Sequence, residues 1–280
     1  MIADRELALA ILAVLDAPPA DVVEVAAAAG FDAITLRLGG GNRERPDEPE
    51  AHPLIGDTPA RRATLRRLQE TGLGVLDVEV LRLRPDTDVV AVRPMLESAQ
   101  ALGARHLLVV GLDDDHARLA ETFGALCSEA EPYRVRPALE FMRMSSVPTV
   151  HDADRIVSAA GHPAGAVLVD PLHLARSGGT PADVAPLAAA HPDRYPYVQL
   201  CDAPLRAPGY GMTRDLYVEA VQHRLNPGDG ELPLRELLDV LPDRIPIGVE
   251  APVAALADRP PAERARASLQ ATRRLLESVG

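Results

Sequence analysis

Short apolar runs alternate with longer alanine- and leucine-rich segments along the whole chain, and the alternation repeats eight times. The apolar runs fall at residues 7–15, 31–38, 74–83, 106–111, 135–141, 166–170, 197–201 and 245–250. Segments with helical spacing cover residues 18–30, 59–71, 88–102, 113–130, 149–160, 181–190, 214–223, 234–241 and 261–279. Such alternation predicts a parallel sheet covered by helices, because one parallel strand reaches the next only through a crossover. Eight units in 280 residues predict closure into a single (β/α)8 TIM barrel. An open doubly wound sheet is the alternative, but no glycine-rich phosphate fingerprint stands at the first strand–helix turn. No shift in composition and no linker divides the chain, so one domain over residues 1–280 is expected.

Local signals agree with that outline. The helix at 18–30 opens on Pro18 and Pro19 and ends on Gly30, the usual order of start and stop residues. Residues 39–57 form a long glycine-, proline- and charge-rich connection, of a length that marks a functional loop. Its last part, His52 to Asp57, is a candidate lid over the barrel mouth. The N-terminal apolar run is flanked by acids and is too short to span a bilayer. No cleavage pattern follows it, so it reads as a first strand and the expected location is the cytoplasm.

Charge narrows the function further. A net charge of −12 argues against nucleic-acid or anionic-membrane partners, which need a basic surface. The chain contains no lysine, which removes Schiff-base mechanisms. Cys127 and Cys201 are too few for a disulfide framework or a CxxC metal site and are expected as reduced thiols.

Four apolar runs end on, or close to, a polar residue that a barrel would present at its C-terminal mouth: Glu140, Asp170, Gln199 and Glu250. Three carboxylates brought that close repel one another unless a cation neutralises them. An all-oxygen set suits Mg2+ or Mn2+ better than zinc. A carboxylate after a strand is also an ordinary helix cap, so the weight lies on four such residues occurring on consecutive strands. His173 follows Asp170 by three residues, on what reads as a loop, and is placed to polarise or protonate a substrate oxygen. Arg37, Glu79 and Arg82 lie at the ends of the second and third strands and are candidate substrate contacts. The run Asp113-Asp114-Asp115-His116 opens a helix, where acids complement the helix dipole, and is read as a cap rather than a metal cluster.

Several segments together resemble the sugar phosphate isomerase/epimerase superfamily of xylose-isomerase-like barrels. They are LEF at Glu140, VDPLHLARSGG at Asp170, YVQLCDAP at Gln199, RLNPGDGELPL from Arg224, and PIGVEAP at Glu250. The resemblance covers essentially the whole chain. It implies one divalent metal, Mn2+, Mg2+ or Co2+, held by Glu140, Asp170, Gln199 and Glu250. It also implies that Glu140 and Glu250 act as acid and base, that Arg224 binds substrate, and that a homodimer or homotetramer forms. Asp202 is a candidate for orienting Gln199 or the substrate.

Two positions depart from the family pattern. Gln199 stands where epimerases and isomerases mostly carry histidine, and Met142 where many members carry histidine. A glutamine at the first position is similar to the 3-dehydroshikimate dehydratase branch. The expected activity is a metal-dependent isomerase or epimerase acting on a sugar, polyol or related hydroxy-carbonyl compound. In that chemistry a metal chelated by the substrate acidifies the adjacent C–H and stabilises the metal-bound enediolate. Expulsion of a β-hydroxyl from the same species gives the alternative, a dehydratase. A barrel that has lost activity and serves as a subunit is a third reading. An apurinic endonuclease on the same fold is disfavoured by the negative charge and the few histidines at strand ends.

Overall fold

Each apolar run becomes a strand, and each strand pairs in parallel with the run before and after it. The computed structural model describes residues 5–39, 53–207 and 213–278. Its strands are β1 (Leu7–Leu9), β2 (Ala33–Arg37), β3 (Gly74–Leu83), β4 (Ala104–Gly111), β5 (Arg136–Glu140), β6 (Ala166–Leu168), β7 (Val198–Leu200) and β8 (Ile247–Val249). The hydrogen-bonded order is β6-β5-β4-β3-β2-β1-β8-β7. A parallel bridge between Val169 and Val198 joins the two ends. There the Gln199 N–H donates to the Val169 carbonyl at 3.1 Å. The sheet is thus a closed (β/α)8 barrel.

The helices are α1 (Pro19–Ala29), α2 (Pro59–Thr71), α3 (Arg93–Ala101), α4 (His116–Ala130), α5 (Val150–Ala160), α6 (Pro171–Arg176), α7 (Pro181–Ala190), α8 (Thr213–Gln222), α9 (Leu234–Val240) and α10 (Pro261–Glu277). Several start where a capping side chain precedes proline, which satisfies free N–H groups and presets φ at the first turn. Thr58 accepts from the Arg61 N–H ahead of α2, and Asp170 accepts from the Leu172 and His173 N–H groups ahead of α6.

Two apolar layers hold the barrel. Between sheet and helices lies the larger core, which includes Leu9, Ile34, Leu96, Phe123, Phe141 and Ile247. Burying each such side chain contributes about 1.5–3 kcal/mol before the entropy of ordering is set against it. Inside the barrel the layer is made of small and medium residues, among them Ala8, Ala33, Ala138, Ala166 and Leu168. Those alternate strand positions face the axis and fill it, as a packed eight-stranded barrel requires.

Some boundaries differ from the sequence expectation, each for a local reason. The first strand ends at Leu9 and not at residue 15, because the Ile11 N–H bonds to Thr35 Oγ1 and Ile11–Val14 coils into a 3-10 turn. The helix expected over 88–102 is a 3-10 turn at Val90–Val92 followed by α3. The segment after Asp170, expected as a loop, is the short helix α6, with His173 on it. Of the long connection over residues 39–57, residues 40–52 lie outside the described residues, and these include His52 of the candidate lid.

Candidate metal centre

The four strand-end residues are all buried at one end of the barrel, none more than 5% exposed. Glu140 closes β5, Asp170 follows β6, Gln199 lies in β7 and Glu250 follows β8. Ligand-capable atoms of Glu140, Asp170 and His173 all lie within 4.8 Å of one another. His173 Nε2 is 3.8 Å from Glu140 Oε1. Neither amide atom of Gln199 has a hydrogen-bond partner among the described residues. A buried amide left unpaired is costly, so this one is matched to something the protein atoms do not provide. The two carboxylates and the imidazole within mutual reach are a donor set that fits a divalent cation, and Glu250 and the unsatisfied Gln199 amide are buried at the same end of the barrel.

Arg224 is the basic group of this cluster. The side chain is 2% exposed and reaches the site just after α8. Its Nη1 pairs with Asp170 Oδ2, and Nη2 lies 2.9 Å from Glu250 Oε2. Nε donates to the Ala220 carbonyl at 2.6 Å, and Nη1 also reaches Cys201 Sγ at 3.2 Å. The guanidinium thus meets two carboxylates, a thiol and a carbonyl, and it links Asp170 to Glu250.

The electrostatics divide the carboxyls. Burial pushes Asp170 upward, but Arg224, with help from His173, outweighs it and holds Asp170 below the usual carboxylate range. Burial drives Glu140 well above that range, reinforced by Glu250 and Asp170, with Arg224 opposing. Glu250 is raised by burial to about 8, with Arg224 pulling down and Glu79 and Asp170 pushing up. Burial lowers the His173 imidazole to about 4 against the attraction of Asp170. Without a cation the cluster thus retains protons that a divalent ion would displace.

Other expected residues separate into contacts of the mouth and supports of the frame. Arg37 Nη2 donates to Glu79 Oε1 at 3.1 Å, and Glu79 is buried while Arg37 is partly exposed. Arg82 is half-buried on β3 and already engaged in an interaction of its own. Asp202 does not orient Gln199. Its carboxylate accepts from the backbone N–H groups of Ala203, Gly228, Gly230 and Leu232, at 2.8, 3.1, 3.0 and 3.0 Å. Asp202 thereby pins the PGDGEL loop to β7, and the loop needs glycine at 230. A Cβ there would lie 2.7 Å from the Ala203 carbonyl. The acidic run ahead of α4 is a cap, as expected: Asp115 accepts from the Ala117 and Arg118 N–H groups, and Asp113 pairs with Arg118.

Two supporting groups were not singled out in the sequence. Arg176 and Glu219 form a buried ion pair, with Nε to Oε2 at 2.8 Å and Nη2 to Oε1 at 2.6 Å. Arg176 also donates to the carbonyls of Pro204 and Leu205 at 2.8 and 3.1 Å. That guanidinium ties α6, which carries His173, to the segment after β7 and to α8. The second group lies deeper in the barrel and centres on Asp77.

Residues 23–275 match the family model of the xylose isomerase-like TIM barrel. The chain belongs to that family. No curated protein matches it. Among solved structures, a fusion of a xylose isomerase-like TIM barrel with a 4-hydroxyphenylpyruvate dioxygenase superposes with a TM-score of 0.77 at 20% identity. The match covers 98% of this chain and 44% of that one, so this xylose isomerase-like barrel spans less than half of that relative. The IolI protein with a bound zinc atom superposes with a TM-score of 0.76 at 17% identity, over 98% and 99% of the two chains. A D-allulose 3-epimerase from Methylomonas sp. superposes with a TM-score of 0.64 at 16% identity, over 97% and 98%. At these identities the likeness is one of fold. Among the described residues no helix is long and apolar enough to cross a membrane.

Proposed function

We propose that this xylose isomerase-like barrel is a divalent-metal enzyme that moves a proton on the carbon beside the carbonyl of a small hydroxy-carbonyl compound, as an isomerase or epimerase. The observation that carries the reading is the buried cluster of Glu140, Asp170 and His173, to which Arg224 links Glu250, with the unpartnered amide of Gln199 buried at the end of a neighbouring strand. Glu140, Asp170, Gln199 and Glu250 would hold the ion, Mn2+ or Mg2+ by that oxygen set or Co2+ by the family likeness. When bound, the ion polarises the substrate carbonyl and makes the neighbouring C–H more acidic.

The remaining work falls to this chain's side chains. One of Glu140 and Glu250 removes the carbon-bound proton and the other returns a proton to the opposite face or the adjacent carbon. Their burial favours the protonated acid and makes each carboxylate a stronger base than one in water. His173, beside Glu140 and held neutral by burial, positions and polarises a substrate oxygen through a hydrogen bond. Arg37 and Glu79 line the mouth where substrate hydroxyls would sit. The zinc-bound IolI structure and the D-allulose 3-epimerase supply fold-level support.

Gln199 favours a second reading, a dehydratase of the 3-dehydroshikimate type, in which the same proton removal is followed by loss of a β-hydroxyl. Protein purified without chelator should contain about one divalent ion per chain, and Glu250→Gln should lose it. The loaded protein in deuterated water should then exchange the carbon-bound proton of a ketose or related hydroxy ketone. Absence of metal in the wild type, or of exchange across a panel of such compounds, overturns the first reading. Failure to form protocatechuate from 3-dehydroshikimate removes the second.

A further inference from the structure

Below the candidate metal centre the barrel axis is walled by small apolar residues, yet three polar side chains enter it from three strands. They are Asp77 on β3, His106 on β4 and Tyr197, immediately before β7. Asp77 and Tyr197 are fully buried, and the His106 ring stacks on Tyr197 with centroids 4.7 Å apart. Neither oxygen of Asp77 has a well-formed hydrogen bond among the described residues, nor does the Tyr197 hydroxyl or His106 Nδ1. The Tyr197 hydroxyl faces Asp77 all the same and acts on it.

The charged groups around Asp77 offer no counter-ion. Glu79 on its own strand and Glu250 beyond β8 repel it. Arg105 on β4 attracts it weakly, being committed to Glu6 at 2.8 and 2.5 Å. Arg224 is paired with Asp170 and Glu250, and Arg37 with Glu79. Asp202, also buried at this barrel end, accepts four backbone N–H groups. Asp77 has neither a guanidinium nor a hydrogen-bond donor well placed against it among the described residues, nor a place among the proposed ligands.

We propose that Asp77 is held as a neutral carboxylic acid in the working protein, with the metal site empty or filled. Burial, with Glu79 and Glu250 next, raises its proton affinity, and Tyr197 opposes only in part. An ionised carboxylate at this place would be buried without a partner, which a folded interior tolerates poorly. The burial and the missing partners do not depend on the proposed metal, which enters only in the Mn2+ arm of the test. Asp77 thus belongs to the frame of the barrel axis and is not a group that touches substrate.

Infrared spectroscopy tests the protonation directly in wild-type protein, with and without Mn2+. The expected result is a protonated-carboxyl band at neutral pD that moves on isotopic labelling of aspartate, persists on Mn2+ loading and vanishes in Asp77→Asn. Absence of such a band, or its survival in Asp77→Asn, overturns the proposal. Should that variant not fold, Tyr197→Phe must shift the band, and an unmoved band overturns it. Asp77→Asn is expected to bind Mn2+ within about twofold of wild type, and a loss of about tenfold or a second bound ion overturns it. If wild-type protein binds no Mn2+, the metal reading fails while the infrared result still decides the state of Asp77.

Discussion

Nη2 of Arg224 lies 2.9 Å from Oε2 of Glu250, while Nη1 of the same guanidinium meets Asp170. One buried cation therefore bridges two residues proposed to hold another. Removing it would leave two buried carboxylates facing each other. Arg224→Met is expected to destabilise the metal-free protein by about 3–5 kcal/mol, as for one broken partner of a buried ion pair. Mn2+ should recover more stability in this variant than in wild type. Urea titrations with and without chelator measure both, and equal metal responses would rule the bridge out as a charge partner.

Gln199 gives the cleanest separation of binding from folding. Its amide lacks partners among the described residues, so the metal-free protein has little to lose when it is replaced. Gln199→Leu should weaken Mn2+ binding by at least about tenfold. The same change should leave metal-free stability equal or higher by about 1 kcal/mol, because a buried unsatisfied group is removed. A clear loss of stability without metal would show that the amide has a partner within the protein.

Stability and metal affinity should depend on pH in opposite directions. Glu250 folded is raised to about 8, above its unfolded value, so its contribution is full below the unfolded value and is lost as pH rises through 8. Glu140 shifts the same way. Metal-free protein should therefore have a lower urea midpoint at pH 8 than at pH 5. Mn2+ binding should release protons and tighten over that window, because the ion competes for the same oxygens. Calorimetry in buffers of different ionisation heat counts the protons, and a count of zero at pH 6.5 would contradict the site.

The Arg176–Glu219 pair is buried on both sides and serves three segments at once. Glu219→Leu alone should cost about 3–5 kcal/mol, since the guanidinium would remain buried. Arg176→Met combined with Glu219→Leu should recover part of that loss. A double-mutant cycle on denaturant midpoints gives the coupling, and strict additivity would mean the two side chains do not act together.

The barrel was legible because its signal is repetition. Eight apolar runs with helices between them leave few architectures, and a polar residue at a strand end then points to the mouth. Glu140, Asp170, Gln199 and Glu250 could be read that way. Arg224 could not be read as their partner, because it meets Asp170 across 54 residues of sequence. The partners of Asp202 were hidden for the same reason, as its four N–H donors include three on a loop 26 to 30 residues later. Asp77 went unnoticed because an acid inside a strand reads as an outward-facing position. The register of β2 on β3 shifts at Ile34/Thr35, beside it, and no composition pattern announces that shift.

The wall of the barrel is thinnest where β6 and β7 meet, through the Val169–Val198 bridge and the bond from Gln199 to Val169. Asp170 and Gln199 stand on either side of that joint. An ion gripped by both would be a rivet through the seam, so the circumference of the barrel and the occupancy of its site become one variable. Emptying such a site would slacken the wall at the seam between β6 and β7.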